Sequence, residues 1–344
     1  SLNDAFGHSG FRVHDLDTGF DVVFDYGRFP FHEPNFYLNF ARGKLNYSIG
    51  ASYYPDFIAQ YQESRRTVQE QILNLSTDEQ QRLYNFLLNN YKPENRDYLY
   101  DFFFDNCATK IKDVLVANVQ DSIRFNTPKD YKEQTFRQLI QHNLNRNSWG
   151  SLGIDIALGA VIDRKATPEE QMFLPANIHS FFSAAKKGDT ALVSKNTIPY
   201  QGEPNNQSSE IFSPLLILGL LALGIVYITY RDYKNKTRSR WLDVCIFTTT
   251  GLIGVGLCLL WFATDHTATA NNYNLLWAFA PNLLVAFVIT KKTLKPWVKK
   301  YLKLLLILLC LMVFHWLTGV QSFAPTLIPL LLALAVRYLY VTND

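Results

Sequence analysis

The sequence is poor in cysteine, and its four cysteines are unevenly placed. Cys107 is the only one before Cys245, and Cys258 and Cys310 follow within apolar runs. This scarcity excludes a disulfide-stabilised scaffold for the amino-terminal half. The chain also lacks a Walker-type glycine loop, an internal repeat and paired Cys or His residues at metal-ligand spacing. It therefore offers no motif for nucleotide or metal binding.

Long apolar runs are absent before residue 212 and frequent after it. Five such runs follow, at residues 212–230, 241–262, 275–289, 302–320 and 324–340. A membrane-spanning helix needs about 20 mainly apolar residues, and the loops between the runs are too short to build a soluble domain around them. The sequence thus predicts an all-α transmembrane domain of five helices over residues 212–344.

Lys and Arg are absent from two of the loops between these runs and abundant in the other two. Residues 231–240 and 291–300 are rich in them, whereas the loop at 265–274 and the turn near Gln321 have none. Cationic loops stay in the cytoplasm. The pattern predicts a multi-pass membrane protein, with residues 1–211 outside the cytoplasm and the carboxyl terminus cytoplasmic. Because no signal-peptide pattern opens the sequence, we expect that the export signal was removed or is not included.

The half before residue 212 has strand and helix patterns of ordinary length. Strands followed by helices, with few β-α-β alternations, indicate an α+β domain over residues 1–183. Residues 184–211 are polar and rich in Gly, Pro and Asn, which predicts a linker. The predicted elements are a hairpin of residues 8–14 and 20–26, a β-rich stretch at 36–50, a helix at 55–75, a capped helix from Ser76 through Asn89, and a helix starting near Cys107.

Cys107 has no possible disulfide partner in its own domain. A single cysteine in an oxidising compartment indicates a reactive thiol, although an inert buried cysteine is the alternative. Asp105 or Asn106 is a good N-cap residue and would place Cys107 in the first turn of a helix. The positive end of the helix dipole favours an anionic thiolate there.

A nucleophilic cysteine also needs a base, and His8 is the best-placed histidine. If Leu16 and Asp17 are the turn residues, then His8 lies directly opposite Asp25 in the hairpin. Cross-strand neighbours are about 5 Å apart, so the carboxylate could orient the imidazole. Cysteine, histidine and an acid form the arrangement of a papain-like nucleophile. The alternative is that both side chains are simply solvated.

Several sequence motifs resemble known families. GHSGFRV, FDYG and DNCAT, in this order, resemble the circularly permuted branch of the papain-like NlpC superfamily, which includes lecithin:retinol acyltransferase. More closely, the chain resembles the Lnb family of Bacteroidota, lipoprotein N-acyltransferases with an extracytoplasmic domain and a membrane-embedded half. The agreeing motifs are FGHSGFRV, FYLNFARGKLNY, FFFDNCATKI, SLGIDIALGAVIDR, MFLPANI and DHTATANNYNLLWAFAPN.

The resemblance implies a papain-like, circularly permuted catalytic domain with Cys107 as nucleophile, His8 as base and Asp25 as third member. It implies transfer of an acyl chain from a membrane phospholipid, through a Cys107 thioester, to the α-amino group of a diacylated lipoprotein. No metal and no organic cofactor are needed for this reaction, and no nucleic-acid partner is expected.

A second group of polar residues is predicted to contact substrate. The loop at 265–274 is expected on the same side of the membrane as Cys107. Polar side chains at that boundary can hydrogen-bond phosphate or ester groups, and Trp and Tyr favour that depth. An interfacial loop with ordinary helix caps is the alternative. His266 is followed by Thr267, whereas the family motif has proline there. The predicted substrate-binding residues are Asn106, Thr109, His266, Asn272, Asn274 and Trp277.

Two other functions remain open at this point. A membrane-bound cysteine hydrolase, either a phospholipase or a cell-wall peptidase, would use the same three residues with water as the acceptor. A binding module that has lost activity is the non-enzymatic alternative. The fate of the acyl group distinguishes the hydrolase from an acyltransferase. The joint presence of a cysteine, a histidine and an acid argues against an inactive binding module.

Overall fold

A computed structural model describes residues 3–29, 35–44, 46–120, 122–203 and 211–343. The chain forms two compact units. The first comprises Ser1–Gln134 and Ala166–Asn206, and the second comprises Thr135–Lys165 and Gln207–Asp344. Residues 135–165, predicted to belong to the amino-terminal domain, are therefore part of the unit that contains the apolar helices.

In its described residues, the first unit combines three antiparallel sheets with helices. The sheet orders are β1-β2-β3-β5, β4-β9 and β6-β7-β8. The strands are β1 Gly10–Asp15, β2 Phe20–Arg28, β3 Asn46–Tyr53, β4 Val68–Leu73, β5 Asp97–Leu99, β6 Ile123–Arg124, β7 Lys186–Lys187, β8 Thr190–Ala191 and β9 Val193–Tyr200. Its helices are α1 Phe36–Arg42, α2 Tyr54–Glu63, α3 Thr77–Tyr91, α4 Cys107–Asn118 and, after the two helices of the inserted segment, α7 Pro175–Ala184.

Strand β2 is the centre of this unit. Its residues 22–26 are all buried, because β1 and β3 flank it and α4 packs against it. Helix α3 packs against β3 and against α4. Phe24, Ile49, Leu87 and Leu115 form part of the resulting core. The capping box predicted at Ser76 is confirmed, since the Ser76 and Glu79 side chains bond reciprocally with each other's backbone N–H.

The predicted hairpin exists, but its predicted register is wrong. Asp25 pairs with Gly10 and not with His8, and β1 begins at Gly10. The turn is longer than the two residues assumed, which shifts the pairing by two positions. Side chains alternate between faces with a period of two residues, so the shift keeps the His8 position on the Asp25 side of the hairpin. A shift of one residue would have separated them.

Three other predicted elements differ from the structure. The helix predicted over 55–75 ends at Glu63, because Arg65 adopts a left-handed conformation with φ 55°. The chain then forms β4, which pairs with β9 inside the predicted linker 184–211. The stretch at 36–50 begins as helix α1 and not as a strand. Residues 204–210 of the predicted linker lie outside the described residues.

In its described residues, the second unit contains three short α-helices and four long apolar ones. They are α5 Phe136–His142, α6 Trp149–Ala157, α8 Pro214–Asn235, α9 Arg240–Phe262, α10 Asn282–Val288, α11 Pro296–Leu317 and α12 Ile328–Asn343. Four helical segments of the described chain are long and apolar enough to cross a membrane: α8, α9, α11 and Pro325–Asn343, which includes α12.

The prediction of five spanning helices is thus wrong at the third apolar run. Residues 275–289 form a single turn of 3-10 helix that ends at Leu276, irregular backbone, and the seven-residue helix α10. Proline lacks a backbone N–H and its ring clashes with the preceding turn, so Pro281 limits a helix to the residues that follow it. Polar groups that are buried outside a continuous helix need other hydrogen-bond partners. The side chain of Asn282 makes two such bonds, to the hydroxyl groups of Thr250 and Tyr301.

The irregular segment, residues 263–295 between α9 and α11, lies along α9. Near the carboxyl end of α9, Thr269 Oγ donates to the Leu260 carbonyl oxygen. Near the amino end of α9, the Arg238 guanidinium donates to the Ile289 carbonyl oxygen at 2.6 Å. Between these points, Gly254 of α9 permits close approach of the segment's backbone. The two ends of the segment therefore lie at opposite ends of α9.

A buried ionic cluster joins three helices at the end of the unit where α8 stops and α9 starts. Arg337 of α12 lies 2.7 Å from Asp232 of α8 and 2.7 Å from Asp243 of α9. Arg238 is 3.2 Å from Asp243. Charges at this depth need partners, and this mutual pairing fixes the carboxyl-terminal helix to the first two.

Candidate active site

Cys107 is the first residue of α4, and the side chain of Asn106 caps this helix. Asn106 Oδ1 accepts hydrogen bonds from the backbone N–H of Ala108 at 2.8 Å and of Thr109 at 3.0 Å. Thr109 Oγ1 accepts from the Asn106 N–H at 2.8 Å, which completes a capping box. The cap fixes the first turn of the helix, and with it the position of the Cys107 side chain.

Asn106 also joins α4 to two other segments. Its Nδ2 donates to the carbonyl oxygens of Phe102 at 2.7 Å and Phe173 at 2.8 Å. Both Asn106 and Thr109 are buried, and their polar groups make the contacts that hold the helix start. The structure gives them a positioning role, and their predicted contact with substrate stays a prediction.

The phenylalanines before Cys107 anchor the turn that leads into α4. Asp101 Oδ1 accepts from the N–H groups of Phe103 and Phe104, at 2.8 and 3.1 Å. The Phe103 side chain is buried, and the Phe102 ring lies 5.8 Å from the ring of Phe173. This packing gives the chain a rigid approach to Cys107.

His8 lies between Cys107 and Asp25. The His8 Nε2 atom is 2.9 Å from Asp25 Oδ2, and interaction with the Cys107 side chain contributes to a raised pKa of His8. The His8 ring and the Cys107 side chain both lie beside Gly27. The structure therefore brings together the three residues that were predicted as a catalytic set.

Gly27 leaves room for this arrangement. Its φ of 91° lies in the left-handed region, at the point where the pairing of β2 and β3 becomes irregular. A Cβ atom at this position would lie 3.7 Å from Cys107 Cβ and 4.0 Å from His8 Cε1. Larger side chains would enter the space beside the thiol, and every non-glycine residue would be strained there.

Arg28, which no sequence motif indicated, binds the other oxygen of Asp25. Arg28 Nε donates to Asp25 Oδ1 at 2.9 Å, and its Nη2 donates to the same oxygen. Nη2 also donates to Ser52 Oγ at 2.8 Å. A Cβ atom on Gly50 would lie only 2.1 Å from Arg28 Cδ, so glycine there makes space for the guanidinium. The available signal was a cation three residues after the acid, with a glycine between them.

Charges in the site keep His8 protonated. Burial lowers the pKa of His8, but hydrogen bonds with Asp25 and Cys107 outweigh burial and raise this pKa to about 10. Burial raises the pKa of Asp25, and hydrogen bonds from His8 and Arg28 outweigh it, so the pKa of Asp25 is lowered. The stabilisation from the His8–Asp25 pair is thus present at neutral pH. It is lost as pH rises through about 10, or as pH falls through the lowered pKa of Asp25.

Aromatic rings lie near Cys107. Burial raises the pKa of both Tyr98 and Tyr100, and interaction with Cys107 raises it further. The Tyr100 ring stacks on Tyr47 at a centroid distance of 4.1 Å, and Lys110 Nζ lies 4.5 Å from the centre of the Tyr98 ring. These tyrosines are neutral at physiological pH and offer apolar surface to a substrate.

The start of α4 also provides a hydrogen-bond donor for an oxyanion. Asn106 occupies the N–H groups of Ala108 and Thr109. Within the described ranges, no residue accepts a hydrogen bond from the Cys107 backbone N–H. A donor at a helix start next to the nucleophile can stabilise the negative oxygen of a tetrahedral intermediate.

The residues predicted in the 265–274 loop belong to the second unit and are engaged there. Asn272 and Asn274 are buried, and their amide groups donate to carbonyl oxygens at the end of α6. Trp277 Nε1 donates to Asn274 Oδ1 at 3.0 Å. His266 is half-buried, and its carbonyl oxygen accepts from Thr269. These contacts give the asparagines and Trp277 a structural role, and substrate binding by the four residues stays a prediction.

No group of three or more His, Cys, Asp or Glu side chains among the described residues could hold a metal ion. The arrangement at Cys107 needs none, since a thiol, an imidazole and a carboxylate are sufficient for acyl transfer through a covalent intermediate.

Comparison with known protein families gives two matches. Residues 1–142 match the Lnb N-terminal periplasmic domain, and residues 206–343 match the Lnb transmembrane domain. The first match contains the three residues of the candidate site, and the second contains all four helices of spanning length. No curated protein and no solved structure matches the chain.

Proposed function

Because the chain belongs to the Lnb family, with a periplasmic amino-terminal domain and a transmembrane domain, we propose that it is a lipoprotein N-acyltransferase. Cys107 would take an acyl chain from a membrane phospholipid and pass it to the α-amino group of a diacylglyceryl-cysteine at a lipoprotein's amino terminus. The observation that carries this proposal is the alignment of Cys107, His8 and Asp25 at the start of α4.

In the first half-reaction, Cys107 passes its thiol proton to His8, and the resulting thiolate attacks the carbonyl carbon of a phospholipid ester. A carbon–sulfur bond forms, and the Cys107 N–H stabilises the oxyanion. When the intermediate collapses, the carbon–oxygen bond breaks and His8 donates its proton to the leaving oxygen. The products are a Cys107 thioester and a lysophospholipid, and His8 is left neutral.

In the second half-reaction, the lipoprotein's α-amino group attacks the thioester carbonyl carbon. A carbon–nitrogen bond forms, His8 accepts a proton from the nitrogen, and the carbon–sulfur bond breaks to restore the thiolate. The net change is one ester converted into one amide. An amine competes with water in such a step when the site excludes water, and the tyrosines beside Cys107 supply apolar walls for this purpose.

The state of Cys107 determines which role His8 can play. In the free enzyme, the sulfur and Asp25 together raise the pKa of His8, so it is an acid ready to protonate the leaving group. A thioester sulfur carries no charge, and His8 then keeps only Asp25 as a charged partner. Its pKa falls as a result, and it becomes a better base for the amine. One residue thus acts as acid and then as base.

We further propose that the membrane is the bacterial inner membrane and that the carboxyl terminus is cytoplasmic. The cationic residues at 231–240 and 291–300 support this orientation. A periplasmic active site would meet the lipids and lipoproteins of the outer leaflet. Four spanning helices exceed what is needed to anchor a soluble catalytic domain, which favours lipid substrates over cell-wall peptides.

The deciding experiment is mass spectrometry of a lipoprotein's amino-terminal peptide, from a host that lacks every other N-acylating enzyme. We expect a gain of one acyl mass with the wild-type chain and none with Cys107→Ala. Cys310→Ala is the matched control, since it removes an exposed thiol from a membrane helix, and it should retain transfer. Free fatty acid or a cleaved peptide that depends on Cys107, without peptide acylation, would instead identify a hydrolase.

A further inference from the structure

Helices α8 and α12 enclose an apolar groove of about 640 Å³ on the surface of the second unit. This volume is in the range of small-molecule binding sites, about 300–1,000 Å³. The floor is made of small residues, Gly219, Ala222 and Ala333, and a Cβ atom on Gly219 would meet nothing within 4 Å. The walls are long aliphatic side chains such as Leu220 and Leu332, which are more than half exposed.

The position of the groove along the helices restricts what can fill it. It begins at Ser213, directly before α8, and reaches Val226 on α8 and Val336 on α12. The next residue of α12, Arg337, belongs to the buried ionic cluster at the other end of these helices. The groove therefore occupies only the half of the helix pair that follows the periplasmic domain in sequence, which corresponds to the outer leaflet.

The length of the groove fits one leaflet. Leu215 and Val226 are eleven positions apart on α8, which corresponds to about 16 Å at a rise of 1.5 Å per residue. Half of a hydrocarbon core of about 30 Å is about 15 Å. An extended acyl chain that enters at the membrane surface would therefore end near Val226.

The mouth of the groove has the chemistry of the membrane boundary. Trp149 Nε1 donates to the carbonyl oxygen of Phe212 at 2.9 Å, and the indole remains about half exposed. Asn147 Oδ1 accepts from the N–H of Leu215 at 3.0 Å. Tryptophan is enriched where one end of a side chain is apolar and the other contacts water. This arrangement matches a lipid, because a polar headgroup would lie at the polar opening and an acyl chain would lie in the apolar groove below it.

We propose that the groove between α8 and α12 is a binding site for one acyl chain of an outer-leaflet lipid, with the lipid's polar part at Ser213 and Trp149. This proposal goes beyond the reaction at Cys107. It rests on the shape, the depth and the mouth of the groove, and it requires that α8 and α12 span the membrane and that α8 begins on the periplasmic side.

The test uses the full chain in vesicles of phosphatidylethanolamine and phosphatidylglycerol that contain a trace of phosphatidylcholine with a diazirine at the end of one acyl chain. After illumination, mass spectrometry maps the cross-linked residues. We expect labels to concentrate around Val226 and Val336, and to exceed those on Ile307 and Phe314, which are exposed apolar residues of α11 outside the groove.

Two glycines of α8 give a matched pair of variants. We expect Gly219→Leu to place a side chain in the groove and to reduce labelling at Val226 and Val336 several-fold. An added Cβ atom on Gly224 would also meet nothing within 4 Å, but Gly224 does not line the groove, so labelling in Gly224→Leu should be unchanged. Cys107→Ala should bind the lipid as well as the wild type does, which separates failure of this proposal from failure of the proposed reaction.

Two results would overturn the proposal. Even labelling of all exposed apolar residues, unaffected by Gly219→Leu, would mean that the groove holds only exchanging boundary lipid. A change in oligomeric state with Gly219→Leu but not Gly224→Leu, measured by light scattering, would mean that the groove receives a helix of a second copy.

Discussion

Asp25 is buried, and its two cationic partners explain why its side chain stays ionised there. His8 binds one of its oxygens and Arg28 binds the other. A buried carboxylate is costly unless its charge is paired and its lone pairs are satisfied. Arg28 touches neither Cys107 nor any atom that reacts in the proposed mechanism. It is a positioning residue, which fixes Asp25 so that Asp25 can fix His8.

We expect Asp25→Asn to lower the pKa of His8 below about 10 and to reduce acyl transfer by at least about 10²-fold. The amide of the variant side chain can still form a hydrogen bond, but it lacks the negative charge that stabilises the His8 imidazolium. The positive charge of Arg28 is then no longer neutralised by a carboxylate, and it repels the imidazolium. NMR of histidine-labelled protein measures the pKa. The double variant Asp25→Asn/Arg28→Gln should recover part of the shift, because the repulsion is removed. An unchanged His8 titration in Asp25→Asn would show that Asp25 does not control the base.

Gly50→Ala tests the role of Arg28 without changing any charge. The new methyl group would meet Arg28 Cδ, and a flexible side chain can move away from it. We expect a folded protein that loses about 10²-fold in transfer rate, because small displacements in a catalytic set have effects of this size. Gly153→Ala, where the added Cβ meets nothing within 4 Å, is the control. Equal rates for Gly50→Ala and wild type would remove Arg28 from the mechanism.

At the scale of single elements, glycine determines how the irregular segment fits against α9. A Cβ atom on Gly254 would lie 2.1 Å from the carbonyl oxygen of Ala278, which is backbone and has little freedom to move. The same addition on Gly256, in the same helix, would meet nothing within 4 Å. The close approach at Gly254 allows the segment after Leu276 to lie against α9 without forming a long helix of its own.

We therefore expect Gly254→Ala to destabilise the protein by about 1–3 kcal/mol, the range for overpacking a well-packed interior. Gly256→Ala should be neutral or slightly stabilising, because alanine has the higher helix propensity. Thermal unfolding in detergent, followed by the loss of monodisperse protein, measures both variants. If the two lose the same stability, the contact between Gly254 and Ala278 is not important for the fold.

The sequence predicted those elements whose signals are local. The cap at Asn106 and the capping box at Ser76 depend on residues within one turn of a helix, and both are present. Asp25 reaches His8 despite an incorrect register, since a shift of two residues preserves the face of a strand. Arg28 was missed because its role depends on a glycine in a neighbouring strand.

Predictions from the sequence are wrong where long-range packing decides the structure. The third apolar run has the composition of a spanning helix, and composition does not show that Asn282 finds partners on α9 and α11. Asn272 and Asn274 looked like interfacial ligands because they are polar and lie near the end of a span. Their partners are carbonyl groups at the end of α6, more than a hundred residues earlier.

At the scale of the whole molecule, the irregular segment determines the topology of the chain. Four spanning helices alone would return the carboxyl terminus to the side on which α8 begins. The segment between α9 and α11, however, starts beside the carboxyl end of α9 and ends beside Arg238, at the other end. We therefore expect the irregular segment to cross the membrane as well, so that the amino and carboxyl termini lie on opposite sides of the membrane.

Single cysteines introduced into a variant with all four native cysteines replaced by alanine test this topology. In intact spheroplasts, we expect a membrane-impermeant maleimide to label Thr267→Cys. Lys234→Cys, Lys292→Cys and Asn343→Cys should be labelled only after permeabilisation; all four positions are exposed. Labelling of Lys292→Cys from outside would mean that the segment returns to the side it came from. In that case the contact of Arg238 with Ile289 would not exist in the membrane, and the charge pattern of residues 291–300 would need another explanation.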